Sequence, residues 1–378
     1  MRYNKIAFPL ALLFILLTGS FGSGLIIDNS RDNGEMKENN PNIPRKAQGG
    51  TIVKGEAVMG TTDGYNWWSY VPLSLQKTET VYILLEMSYQ GFEDYVALTN
   101  DLKNNVLAWS SIAEDEKYVI VSAGAPRNFT KGYYPQGINE HSLDPLTPEF
   151  YYRPDLKVNN IISELMNNLT DAGYTPYSKI LVAGFSAGGM WSNRYTLLYP
   201  ERVLAAAMGQ VGGWLAMPIS EHNGTTLNWP MGIANFYNLT GIDYNKQALL
   251  KDVPQYIFIG DLDTSSTYCE GYPSCQNITI WGDTDPERLE AQSSYLTGNN
   301  YSVQFKLYAG IAHSYTTLMK NDLLDFFTAT ITAIQEPPPE NGDNIIPGYA
   351  LIVFLPFLII SITALVLLHQ KRVKFIQF

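Results

Sequence analysis

Short runs rich in β-branched and aromatic residues alternate along the middle of this chain with longer stretches whose apolar positions recur every three or four residues. The first pattern predicts strands from Trp67 to Val71, Thr80 to Leu85, Tyr118 to Ser122, Lys179 to Ala183, Val203 to Met208, Gln255 to Ile259 and Val303 to Tyr308. The second predicts helices from Lys157 to Leu169, Gly188 to Tyr199, Asp285 to Leu296 and Thr316 to Ile334. The first of these sets Val158, Ile161, Ile162, Leu165 and Leu169 on one stripe. Strands that alternate with helices imply crossover connections, so the expected class is α/β, a mostly parallel central sheet with helices on both faces. Residues 211–252 fit no regular unit and are expected to form an insertion over the carboxyl edge of the sheet, where such sheets bind ligands.

The pattern changes at both ends. Positive charge at Arg2 and Lys5, an apolar run from Ile6 to Leu17 and small residues up to Gly24 follow the order of an export signal, so residues 1–24 read as a signal peptide, with a short membrane anchor as the alternative. Residues 25–50 are polar and aperiodic, a flexible spacer before one domain at 51–335. Residues 336–344 form a Pro-rich stalk, and 345–368 carry no charge over a length sufficient to span a bilayer as a transmembrane helix. The basic tail at 369–378 then belongs on the cytoplasmic side, which places the domain outside the cell.

Charge and composition narrow the partners. The net charge of −11 offers no basic field for phosphates, so nucleic acid is excluded as a partner. The two cysteines, Cys269 and Cys275, are too few for a disulfide scaffold or a structural zinc site, and no metal or other cofactor is expected. Six sequons, at Asn128, Asn168, Asn223, Asn238, Asn277 and Asn300, lie on the side these signals place outside. In that location the two cysteines favour a short disulfide, which would hold the loop just before it.

One stretch carries nucleophile chemistry. Gly184-Phe185-Ser186-Ala187-Gly188 matches G-x-S-x-G, with an apolar strand leading in and a helix leading out. The glycines let strand and helix approach closely, leaving the Ser186 hydroxyl exposed at the helix N-terminus. A serine hydroxyl needs a base. Of the four histidines, His141 precedes the serine, His222 lies upstream of any plausible acid and His369 lies beyond the apolar span, which leaves His313, between the last strand and the last helix. The third member belongs after the strand ending at Gly260, where Asp261 and Asp263 compete. Asp263 is preferred on its G-x-x-D spacing, and Asp261 can instead shape the turn. The resulting order is Ser186, Asp263, His313.

On these residues, together with Tyr70-Val-Pro72, Trp109 to Glu116, Asp155 to Leu165, the stretch from Ile180 to Val203 and Ala312-His313-Ser314, the chain resembles the secreted esterase branch of the α/β-hydrolases, the polyhydroxybutyrate depolymerase and feruloyl or acetylxylan esterase group, over about residues 64–334. The resemblance implies an α/β-hydrolase fold and an acyl-enzyme route on a small or polymeric ester: Ser186 attacks a carbonyl, His313 shuttles the proton and Asp263 holds the imidazole. It also implies an oxyanion hole built from the Ala187 amide and a second donor after the strand ending near Leu85. There this chain departs from the family's His-Gly and reads Glu86-Met87-Ser88-Tyr89, which makes Ser88 or Met87 the second donor. Glu86 is open between a buried acid and a surface residue. Trp214 and Trp229, in the insertion, are the preferred pocket aromatics. A serine peptidase and an inactive binding protein of the same fold are the alternatives.

Overall fold

The computed structural model describes residues 51–88, 91–264 and 278–335. Its sheet opens with a hairpin, β1 (Ala57–Thr62) and β2 (Tyr65–Tyr70), paired from Ala57 with Tyr70 to Thr62 with Tyr65. The two residues between, Asp63 and Gly64, both have positive φ, the conformation that an Asp-Gly turn supplies. β3 (Thr80–Met87), β4 (Tyr118–Gly124), β5 (Ile180–Phe185), β6 (Val203–Gly209) and β7 (Gln255–Gly260) follow, buried everywhere except at Thr80. β8 (Val303–Tyr308) closes the edge and exposes Lys306 and Leu307, as an edge strand with a solvated side does. In space the strands run β1-β2-β4-β3-β5-β6-β7-β8, with Thr175–Pro176 beside the start of β3. Only β2 runs against its neighbours on both sides; from β4 to β8 every pairing is parallel.

Helices cover both faces because successive strand residues point to opposite sides. Leu84, Ile120 and Phe258 pack on one side with Val106 from α1 (Tyr95–Ala108), Ala113 from α2 (Ser110–Glu116) and, from the last helix, Met319, Leu323 and Phe327. Ile83, Leu85, Val182 and Ile257 pack on the other with Val158, Ile161 and Leu165 of α3 (Pro154–Asp171), Trp191 and Tyr195 of α4 (Ala187–Leu198) and Leu289 of α5 (Asp285–Gly298). The last helix is α6 (Thr317–Gln335). A reciprocal Thr284–Glu287 capping box starts α5, and Pro154 starts α3 where its missing N–H costs no helix bond.

All seven strands and four helices expected from the pattern are present, with ends shifted by at most three residues. The hairpin strand β1 and helices α1 and α2 were not anticipated. α1 buries only Leu98, Leu102 and Val106, a one-residue-wide stripe among three asparagines and a threonine that form helix poorly, and its start is fixed locally by the Asp94 side chain accepting from the Ala97 amide. The 211–252 segment also differs from expectation. It holds a two-residue ladder (Glu221–His222 with Thr225–Thr226) and short helices at Phe236–Thr240 and Gln247–Lys251, while Leu215, Met217, Leu227 and Met231 sink into the core. Trp229 is fully buried with its indole N–H on the Ile138 carbonyl at 2.7 Å, and Trp214 lies buried over the Arg194 guanidinium. Both are therefore packing residues and not pocket walls, because their rings are already covered.

The expected signal peptide, spacer, stalk, transmembrane helix and tail, together with Cys269, Cys275 and Asn277, lie outside the described residues. Among the described residues no helix is long and apolar enough to cross a membrane. Asn223, Asn238 and Asn300 are exposed, and Asn128 and Asn168 are half-buried.

Candidate active site

Ser186 joins β5 to α4 with φ 56° and ψ −121°, a backbone conformation that an ordinary side chain adopts only under constraint. The constraint is visible in its neighbours. Its amide donates to the Gly209 carbonyl on β6 at 2.9 Å, and three glycines let the backbones close around it. A Cβ on Gly184 would stand 2.3 Å from the Gly188 carbonyl carbon, one on Gly188 2.2 Å from the Met87 carbonyl oxygen, and one on Gly189 2.2 Å from the Gly209 carbonyl oxygen. Each obstacle is main chain, so no side chain can swing away. Gly188→Ala is expected to destabilise the fold by about 3 kcal/mol, read as a lower midpoint in urea unfolding.

β7 and β8 deliver the other two groups on paired loops. The Asp261 amide donates to the Tyr308 carbonyl, the Leu262 amide to the Ile311 carbonyl, and the Asp261 carboxylate accepts from the Gly310 amide at 2.7 Å. Asp261 thus holds one loop to the other, and Asp263 faces the imidazole. His313 Nδ1 lies 2.9 Å from Asp263 Oδ2 and 3.2 Å from Oδ1, while its Nε2 lies 3.1 Å from Ser186 Oγ. Asp263 and Ser186 are 2% and 6% exposed, whereas the His313 side chain keeps 39% of its surface open. A buried acid, a half-open imidazole and a hydroxyl at a helix N-terminus form a relay that opens to solvent on one side. The His313 ring leans on Phe185, which stacks on Tyr315 at 5.1 Å.

Ala187 is the first residue of α4, so its amide is among those that have no partner within the helix, and the positive end of the helix faces the space above Ser186. The close approach of Gly188 to Met87 brings the end of β3 beside this turn. Ser88 follows directly; its side chain is buried and its hydroxyl donates to the Asp101 carboxylate, so any part in an oxyanion hole falls to its backbone amide.

Glu86 is a buried acid. The Asn105 side-chain amide donates to its carboxylate and also reaches Ser122 Oγ at 3.1 Å. Burial pushes the Glu86 carboxyl up to about 8, against the pull of the Asn105 hydrogen bond and of Lys320; Asp101 adds to the rise. The folded chain therefore keeps a proton that the unfolded chain releases above about 4.5. Its stabilising contribution is complete below that pH and is lost as pH climbs to about 8. Glu86→Gln, which mimics the protonated form, is expected to flatten the melting temperature between about pH 5 and pH 9 and to exceed the wild type at the alkaline end.

Two residues with no signal in the sequence border Asp263. Gln210 and Asp285 are fully buried, and the Gln210 amide nitrogen reaches both the Asp263 and the Asp285 carboxylates. Of the other histidines, His141 and His222 lie away from the relay, against Tyr133 and Trp281 respectively. Among the described residues no group of three or more His, Cys, Asp or Glu side chains could hold a metal ion.

Comparison with protein-family models finds no match, and comparison with curated proteins finds none either. Solved structures do match. Poly(aspartic acid) hydrolase-1 from Sphingomonas sp. KT-1 aligns with a TM-score of 0.53 at 17% identity, over 73% of this chain and 100% of its own. The poly(3-hydroxybutyrate) depolymerase from Bordetella parapertussis aligns with a TM-score of 0.52 at 16% identity, over 76% of this chain and 93% of its own. With a serine on a strained strand-to-helix turn, a parallel sheet from β4 to β8 and these structural relatives, the chain has the α/β-hydrolase fold.

Proposed function

We propose that this protein is a serine hydrolase that cleaves carboxylic esters through an acyl-enzyme on Ser186. The observation that carries the proposal is the continuous relay from Asp263 through both ring nitrogens of His313 to the Ser186 hydroxyl, 2.9 Å at one end and 3.1 Å at the other. In this reading Ser186 Oγ attacks the ester carbonyl carbon as His313 Nε2 takes its proton, and Asp263 holds Nδ1–H so that the correct ring nitrogen is free. The carbonyl oxygen gains negative charge, which the Ala187 amide and the N-terminus of α4 stabilise, joined by the Ser88 amide. The imidazolium returns its proton to the departing alcohol. Water then attacks the acyl-enzyme along the same path, releasing the acid and restoring Ser186.

A fluorophosphonate probe tests the nucleophile. Wild type should label and Ser186→Ala should not; a wild type that stays unlabelled speaks for a binding protein on the same fold. The two structural relatives are described as acting on a polyester and on a polymer of an amino acid, so the substrate panel should include both p-nitrophenyl esters and chromogenic peptides. Turnover of peptides alone would replace the esterase reading with a peptidase. The apolar stretch at 345–368, the export-type N-terminus and the sequons support a cell-surface enzyme anchored by its C-terminal segment. Release of activity from intact cells by protease shaving is the expected result of that placement.

A further inference from the structure

The turn after β6 is built at some cost for a purpose that packing alone does not explain. Within four residues Gln210, Gly212 and Gly213 all take positive φ, at 42°, 70° and 82°. The two glycines suit it; the glutamine does not. The chain is held there by the Gln210 amide on the Phe258 carbonyl of β7 at 2.9 Å and by the Gly212 amide on the Gln210 carbonyl at 2.6 Å. From α5, Arg288 Nε donates to the Gly213 carbonyl at 2.8 Å, and Gln292 pairs with both the amide and the carbonyl of Leu215. A Cβ on Gly213 would meet the Asp285 carboxyl at 2.6 Å, so the turn is wrapped directly over that acid.

This wrapping puts the Gln210 side-chain nitrogen between two carboxylates, 3.5 Å from Asp263 Oδ1 and 3.2 Å from Asp285 Oδ2, with all three residues at most 2% exposed. Asp285 in turn is ion-paired to the buried Arg288. One amide nitrogen carries two protons, enough for one to each acid, and its orientation follows from those acceptors. Asp263 sits on a loop, and a carboxylate held by the imidazole alone could rotate with it. His313 Nδ1 bears on both carboxylate oxygens, nearer Oδ2, and the Gln210 donor on Oδ1 opposes that rotation.

We infer that Gln210 is a positioning residue: it locks the Asp263 carboxylate against His313 and ties it to the Asp285–Arg288 ion pair at the start of α5. This rests on the reading of Ser186, His313 and Asp263 as a catalytic triad. Gln210 touches neither substrate nor reacting atoms, and its effect passes wholly through Asp263.

A mutant cycle separates that role from simple packing. Gln210→Met fills the space without a donor, and Gln210→Gly removes the donor while relieving the positive φ. In the wild-type background each should lower kcat on a p-nitrophenyl ester about tenfold or more with KM unchanged, and shift the low-field Nδ1 proton signal of His313. In an Asp263→Ala background the same changes should alter kcat by less than about twofold. Equal losses in both backgrounds, no loss in the wild-type background, or failure of both Gln210 variants to fold by circular dichroism would each overturn the inference. If the unmodified protein neither labels nor turns over esters, the hydrolase reading falls by itself. The imidazole signal, which needs no turnover, then still decides whether Gln210 sets the Asp263–His313 contact.

Discussion

His313→Ala is expected to lower kcat by a factor on the order of 10⁵ to 10⁶ while leaving the melting temperature nearly unchanged. The size of the effect follows from what the imidazole does: among the described residues it is the base that meets Ser186 Oγ, and an alcohol without one is almost inert as a nucleophile at neutral pH. The small effect on stability follows from position. The ring is 39% exposed and hangs from a loop whose hold on the neighbouring loop comes from Asp261, Leu262 and backbone groups. Steady-state kinetics on an activated ester, paired with a thermal melt, checks both halves. A variant retaining more than about a hundredth of the activity would mean that His313 is not the base.

Asp263→Asn is expected to reduce kcat about 10⁴-fold, with Asp261→Asn as its contrast. An asparagine at 263 can present an N–H to His313 Nδ1, which favours the tautomer carrying its proton on Nε2, where Ser186 needs an acceptor. Asp261 makes a different bond, to the Gly310 amide, and an asparagine there keeps an oxygen acceptor. Its variant should lose at most a few-fold in rate. A reversal of the two effects would move the acid to position 261.

How much of this was legible beforehand depended on range along the chain. Strands β3 to β7 were readable because runs such as Ile180 to Ala183 are covered on both faces and stay apolar throughout. β1 went unread although Asp63-Gly64 is a hairpin signal, since its AVMGTT stretch shows no clear alternation and one of its positions, Gly60, is small to make room for the Trp67 indole. The serine turn was readable because Gly184, Ser186, Gly188 and Gly189 fall within six residues between an apolar strand and a helix, although two of those glycines make room for main chain distant in sequence, at Met87 and Gly209. Trp214 and Trp229 were misjudged for the opposite cause: whether an indole lines a pocket or fills a core depends on Arg194 and Ile138, far away along the chain. Glu86 likewise became a buried acid only when α1 brought Asn105 against it.

The amino-acid sequence by itself determined the alternation of strands and helices, the strained serine turn and the identity of the residues that could act as base and acid. The alternation is decided by side-chain shape and backbone freedom within a few residues, and the base and acid by the small number of histidines and their order along the chain. Which aspartate meets His313, and that Gln210 is threaded between Asp263 and Asp285, only the tertiary structure decided. Those contacts join residues 50 or more positions apart, and their geometry is set by the parallel register of β6, β7 and β8 and the loops that register aligns.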